Sequence, residues 1–254
     1  MLQLDSKIAI ITGASSGIGA AAARLFAAEG ARLVLGARRQ PDLAAAVAGI
    51  EAAGGSAIAV AGDVRDDDFN RSLVDTALNA FGGLDIAFNN AGATGDVAPL
   101  TELSLDAWRT TLDTNLTSAF LAARHQIPAM LVRGAGSLIF TSTFVGHTIG
   151  LPGMAAYAGA KAGLNGLVQV IAAEYGPHGI RANGLLPGGT DTPAGRGFAN
   201  TPQIVAFVEG MHALKRMARP EEIARVALFL ASDASSFVTG TAMLADGGVS
   251  ISKS

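Results

Sequence analysis

The sequence predicts an α/β protein built on one doubly wound parallel sheet of seven strands with helices on both faces. Three observations carry this. Seven short aliphatic or β-branched runs recur along the chain, six Ala/Leu-rich segments of helical length separate them, and no linker, repeat or low-complexity tract interrupts the 254 residues. The first run is Ile8-Ala9-Ile10-Ile11, followed by a helix over 17–29 that Gly30 is placed to stop. Leu33-Val34-Leu35 is next, and its helix over 41–53 has Pro41 in the first turn and Gly54 after the end. Ala57-Ile58-Ala59-Val60 precedes a helix over 67–81, and Leu84-Asp85-Ile86-Ala87-Phe88 precedes a long helical segment over 104–131. Ser137-Leu138-Ile139-Phe140 leads to a helix over 154–176, which Ile180-Arg181-Ala182-Asn183 follows. Pro220 opens a helix over 220–231, and Ala242-Met243-Leu244 is the last strand. Between them, 187–212 crowds glycine, proline, threonine and asparagine and reads as a long functional loop. The chain reads as one domain over 1–254.

Composition narrows the function classes. With 18 basic and 21 acidic side chains the net charge is -3, which suggests neither a nucleic-acid nor an anionic-membrane partner. The absence of cysteine excludes disulfides, thiolate nucleophiles and Cys-bound metals, and it fits a reducing cytoplasm. No basic region followed by a long apolar stretch opens the chain, and no apolar run is a good membrane span, so a soluble intracellular protein is expected. His125, His147, His178 and His212 are scattered without ligand spacing, so no metal site is expected.

Two patterns carry chemistry. Thr12-Gly13-Ala14-Ser15-Ser16-Gly17-Ile18-Gly19 joins the first strand to an alanine-rich helix, the order a dinucleotide site needs. Glycine allows the tight turn and close backbone approach to a pyrophosphate, and the helix N-terminus presents free N–H groups and a positive dipole end. Gly13, Ser15, Ser16, Gly17, Ile18 and Gly19 are therefore candidate cofactor residues. Tyr157 and Lys161 lie four apart and share one helical face, where the ammonium can stabilise a phenolate. Lowering a phenol from a pKa near ~10 to ~7 requires about 4 kcal/mol of preferential stabilisation of the charged form.

With these two patterns, Asn89-Asn90-Ala91-Gly92, Asn115, Pro187-Gly188 and Asp246-Gly247-Gly248 stand in an order that resembles the classical short-chain dehydrogenase/reductase family over nearly the whole chain. The resemblance implies a single Rossmann-like domain, nicotinamide-dependent carbonyl reduction or alcohol oxidation, and a homo-oligomer, either tetramer or dimer. It implies that Tyr157 is the general acid and base, that Lys161 holds the phenolate and binds ribose hydroxyls, and that Asn115 anchors a relay water. A helix-internal amide satisfied by a backbone bend is the structural alternative for Asn115. The substrate-polarising hydroxyl falls on Ser142 or Thr143. Thr143 stands three before Gly146, Ser142 is the actual serine of the segment, and both stay candidates.

For the cofactor, Ala37 occupies the place of an acidic ribose ligand, and Arg38 and Arg39 follow it, which favours NADP(H) with NAD(H) possible. Ser16 stands where NADP-preferring relatives often carry a basic residue. The resemblance places Asp63 and Val64 at the adenine, Asn89, Ala91 and Gly92 on the adenosine side, and Pro187, Gly188, Thr190 and Thr192 at the nicotinamide. Segments 147–154 and 193–211 are expected to wall a mainly apolar pocket for a small ketone or secondary alcohol. The other functional class is a dinucleotide-binding regulator or interaction protein with little turnover, against which the intact Tyr157, Lys161 and Asn115 weigh.

Overall fold

The apolar runs become strands because their alternate side chains serve two different cores. Ala9 and Ile11 join one cluster with Leu33 and Leu35, whereas Ile8 and Ile10 join the other with Val34 and Leu138. The computed structural model describes residues 2–252. Its strands are β1 (Ile8–Thr12), β2 (Arg32–Ala37), β3 (Ser56–Ala61), β4 (Ile86–Asn89), β5 (Gly136–Thr141), β6 (Ile180–Pro187) and β7 (Ala242–Ala245). They form one seven-stranded sheet in the order β3-β2-β1-β4-β5-β6-β7, and every pairing is parallel. The order reverses between β1 and β4, where an open α/β sheet has its ligand crevice.

Helices cover both faces. The cluster on one face draws on α1 (Gly17–Ala28), α2 (Gln40–Ala52) and α9 (Pro220–Ala231). The opposite face carries α3 (Asp67–Phe81), α5 (Ser118–Arg133) and α6 (Ala155–Tyr175), with α4 (Leu105–Leu112) packed on α6. Local chemistry sets the ends. Asp66 caps α3 by accepting from the Asp68 N–H, Gly82 ends that helix in the left-handed region at φ 84°, and Ser104 caps α4.

Three expected elements differ. The segment over 104–131 is not one helix: a π-helical turn, Asp113–Thr117, separates α4 from α5. The fourth strand starts at Ile86, two residues later than expected, while the backbone of Asp85 still bonds Ile8 and Ser137 and its carboxylate accepts from the Ile8 N–H at 2.8 Å. The 187–212 segment is not structureless either. It holds α7 (Pro193–Phe198) and α8 (Pro202–Met211), whose caps Thr192 and Thr201 each precede a proline that suits a first turn. Threonine-proline steps that read as loop signals in sequence are here helix starts.

Phe88 is fully buried in β4, with its ring 6.4 Å from that of Phe26 on α1. Phe88→Ala is expected to lower unfolding free energy by about 3–5 kcal/mol through lost burial and the cavity it leaves. Urea unfolding followed by fluorescence measures this, and a loss under ~1 kcal/mol would contradict the packing described.

Candidate active site

All seven strands run the same way, so the turns that leave their C-terminal ends gather on one edge. Thr12, at the end of β1, accepts through its hydroxyl from the N–H groups of Asn90 and Ala91 at 3.1 and 3.2 Å. Asn90 returns a bond from its amide nitrogen to the Thr12 carbonyl at 3.2 Å, and its Oδ1 accepts from the Thr141 hydroxyl, also at 3.2 Å. Three strand ends are thereby tied together. Thr12 and Asn90 are not among the sequence candidates, although each stands at a strand end beside a glycine motif. Asn89, which is a candidate, spends its amide on a reciprocal pair with Gln126 at 2.9 and 3.0 Å.

The glycine turn is built for close approach. A Cβ on Gly19 would overlap the Gly13 carbonyl and come 2.8 Å from the Asn90 amide. A Cβ on Gly17 would meet the Thr192 methyl at 3.0 Å, so the loop after β6 rests on this turn. Ser16 is the N-cap of α1 and makes no side-chain cap bond, which leaves the first-turn N–H groups at Gly17, Ile18 and Gly19 unclaimed by a cap. These residues fit a dinucleotide pyrophosphate. On the other side, Thr190 donates to the Gly188 carbonyl at 3.0 Å and Thr192 caps α7 by accepting from the Gly195 N–H at 2.9 Å. Gly188 is backed by Asp246, whose carbonyl oxygen lies 2.7 Å from where its Cβ would be.

The charged side chains after β2 and β3 are in unequal states. Asp63 is bridged by Arg65 at 2.8 Å, and that bond holds its carboxyl below the usual value, with a smaller contribution from Arg38. Arg39 forms an ion pair with Asp42 of α2. Arg38 is exposed at the end of β2 and has no carboxylate within ion-pair distance among the described residues.

The catalytic candidates converge on α6. Lys161 is buried at 3% exposure and donates to the Thr141 carbonyl at 2.6 Å. A Cβ on Gly92 would sit 2.8 Å from Asn115 Oδ1 and 3.1 Å from Lys161 Nζ, so glycine there lets Asn115 and Lys161 share one space. Asn115 lies on the π-helical turn, donates to the Ala93 and Thr111 carbonyls at 2.8 and 2.9 Å and accepts from the Ala93 N–H at 3.2 Å. The amide satisfied by a backbone bend is thus present, and one Oδ1 lone pair is left over. A cavity of about 10 Å³ adjoins Lys161, Asn115 and Thr141. Asn70, also on its wall, has a buried Oδ1 without a partner.

The two neighbouring hydroxyls separate. Thr143 accepts from the Val145 N–H at 3.3 Å, and its hydroxyl stands near enough to the Tyr157 phenol to draw that group's pKa down. Ser142 instead donates to the Lys161 backbone carbonyl at 2.9 Å. The Tyr157 ring packs with Phe144, Val145, Met154, Ile149, Leu151 and Met211 in an apolar cluster. His147 is exposed and faces the Asn165 amide at 3.2 Å. His212, which spacing alone left without a role, is fully buried: its Nε2 accepts from the Gly189 N–H at 3.0 Å, so the proton is on Nδ1, bonded to the Val208 carbonyl at 2.7 Å. It ties α8 to the turn after β6.

Burial pushes the Tyr157 phenol above its ordinary value, and the neighbouring Thr143 hydroxyl acts in the opposite direction. The Lys161 ammonium lies 5.8 Å from the Tyr157 ring centroid and is aimed at the Thr141 carbonyl. Burial also brings Lys161 down from 10.5 to about 8.

A family model described as enoyl-(acyl carrier protein) reductase matches residues 13–250. A solved short-chain type dehydrogenase/reductase from Mycobacterium marinum superposes with a TM-score of 0.94 at 36% identity, covering 99% of this chain and 98% of that one. The chain belongs to the short-chain dehydrogenase/reductase family. Within it, the chain is 41% identical to the 2,5-dichloro-2,5-cyclohexadiene-1,4-diol dehydrogenase of Sphingobium indicum over 98% of each. It is 36% identical to the cyclohexanol dehydrogenase of an Acinetobacter strain over 96% of this chain and 95% of that protein. As a short-chain dehydrogenase/reductase, it is an NAD(P)-dependent oxidoreductase. Among the described residues no group of His, Asp or Glu is arranged to hold a metal, and no helix is long and apolar enough to cross a membrane.

Lys161 also gives a stability signature. Between pH 8 and 10.5 the folded protein binds fewer protons at this site than the unfolded chain, so the cost of burying the charge is full below pH 8 and vanishes by pH 10.5. A drop from 10.5 to about 8 corresponds to about 3 kcal/mol. Lys161→Met is expected to gain about 1–3 kcal/mol at pH 7, after allowance for the lost bond to Thr141, and to flatten the rise in stability from pH 8 to 10. Chemical denaturation at several pH values measures both. A less stable variant with an unchanged slope would show that the lysine is not a buried cation.

Proposed function

We propose that this enzyme interconverts a small alicyclic ketone and its secondary alcohol with NADP(H) as preferred cofactor, using Tyr157 as the proton donor and acceptor. The observation that carries the reading is the convergence of the Tyr157 phenol, the Thr143 hydroxyl and the buried Lys161 ammonium beside one apolar cluster, with Lys161 Nζ 5.8 Å from the Tyr157 ring centroid. Thr143, not Ser142, is then the hydroxyl that polarises the substrate oxygen, since the Ser142 proton is already committed to Lys161.

A bound nicotinamide would supply or accept the hydride. Gly13, Ser15, Ser16, Gly17, Ile18 and Gly19 would hold its pyrophosphate, with Asp63, Val64, Asn89, Ala91 and Gly92 on the adenosine side. Pro187, Gly188, Thr190 and Thr192 would line the nicotinamide side. Arg38 would take the 2′-phosphate, because Arg39 is engaged by Asp42 and no acidic side chain follows Gly36. In reduction, the Tyr157 phenol gives its proton to the carbonyl oxygen while Thr143 donates a hydrogen bond to the same oxygen. The raised phenol keeps that proton in place at neutral pH, which favours ketone reduction there and alcohol oxidation under alkaline conditions. Lys161 and Asn115, with the small cavity between them, offer a route by which the proton is replaced. The substrate assignment rests on the apolar wall around Tyr157 and on the cyclohexane-type alcohols named for the two relatives.

The test is absorbance of NADPH and NADH with cyclic, acyclic and carboxylated ketones. Turnover is expected to be fastest with cyclohexanone-like rings; turnover confined to charged ketones would overturn the substrate class. Tyr157→Phe is expected to lower kcat at least ~10²-fold while nucleotide binding survives. Activity unchanged in that variant would remove Tyr157 from the chemistry. Arg38→Ala is expected to weaken NADPH binding about ten- to a hundredfold and NADH little, measured by fluorescence titration. Equal loss for both nucleotides would refute the phosphate role.

A further inference from the structure

Two consecutive residues at the end of β5 each hold α6 by a different bond. The Thr141 carbonyl accepts from Lys161 Nζ at 2.6 Å, and the Ser142 hydroxyl donates to the Lys161 carbonyl at 2.9 Å, while the next residue, Thr143, stands beside the Tyr157 phenol. Lys161 is therefore gripped twice, once at its backbone and once at the tip of its side chain. The two grips close a ring through the Thr141–Ser142 peptide, which fixes how far the ammonium stands from the strand. Ser142 is itself anchored, because its N–H donates to the Leu185 carbonyl of β6 at 2.8 Å, and it is 2% exposed. At Gly146 the backbone abuts α6 so closely that a Cβ would lie 2.7 Å from the Ala158 carbonyl oxygen.

We infer that Ser142 is a positioning residue whose hydroxyl sets the register of α6 on β5, and so brings the Thr143 and Tyr157 hydroxyls within reach of one substrate oxygen. The inference rests on the catalytic reading of Tyr157 given above. The bond is not needed to satisfy the Lys161 carbonyl, which as a position inside α6 already takes the i+4 helical N–H. It is the Ser142 hydroxyl that needs a partner, so replacing it with alanine strands no buried polar atom. What is lost is the tether. Displacements of ~1 Å in a catalytic constellation cost up to about a hundredfold in rate, whereas a surplus hydrogen bond costs little in stability.

Ser142→Ala, Ser142→Thr and Ser142→Cys, each as full-length protein, separate these effects. Ser142→Ala is expected to lower kcat about ten- to a hundredfold with the KM for NADPH within about twofold of the parent and the melting temperature nearly unchanged. Ser142→Thr, which keeps the hydroxyl, is expected to recover most of the rate, and the weaker donor of Ser142→Cys a part of it. A readout without turnover is the ultraviolet titration of Tyr157, with Tyr157→Phe identifying its share against Tyr175. Its midpoint is expected to move up in Ser142→Ala, as Thr143 shifts away from the phenol, and to return in Ser142→Thr. Parental kcat and an unmoved midpoint in Ser142→Ala would overturn the inference. So would equal losses in the alanine and threonine variants, or a fall in rate matched by a fall in nucleotide binding. A shifted midpoint in a protein that reduces no ketone would instead leave the positioning role standing and discard the catalytic reading.

Discussion

The parallel direction of the sheet is the constraint from which the rest follows. Parallel strands need a crossover after every strand, so each chain segment returns to the same edge, and seven C-terminal strand ends lie side by side. Residues far apart in sequence, such as Thr12, Asn90 and Thr141, thereby become hydrogen-bonded neighbours. The glycine turn, the Asn-Ala-Gly turn and the Pro-Gly turn need no long-range design to meet. Each has only to be the right local turn at the end of its own strand.

Much of this was legible because it is periodic or local. Seven strand-like runs specified the sheet, and Tyr157 and Lys161 specified their common face by spacing alone. What the sequence hides are features decided by a third partner. The Asp85 carboxylate reaches back to the Ile8 N–H, 77 residues earlier. The π-helical turn is silent in a hydrophobic pattern, since Asp113-Thr114-Asn115 could continue an exposed helical face. The choice between Ser142 and Thr143 lies in where α6 sits, because beyond the last ladder residue strict alternation of faces no longer applies and both hydroxyls reach that helix. His212 looked unassigned because its partners are backbone groups, which leave no side-chain signature.

The site also shows stability conceded to chemistry. An ammonium at 3% exposure with one carbonyl partner is a costly arrangement, and the same burial keeps Tyr157 protonated. Desolvation thus acts on both groups in the direction of neutrality. The i, i+4 spacing shows that the two side chains share a face, but not how far burial perturbs each of them.

The π-helical turn at Asp113–Thr117 does more than bend a helix. One extra residue in a turn is a phase slip of about 100° between the helices on either side. It lets α4 address α6 while α5 presents Ala119, Ala122, Ala123 and Met130 to the sheet and Ser118 near Lys161. Length between Leu105 and Arg133 is consequently quantised. A residue removed from the α-helical parts would rotate the buried face of α5 by about 100°, whereas one removed from within Asp113–Thr117 would restore a continuous α-helix.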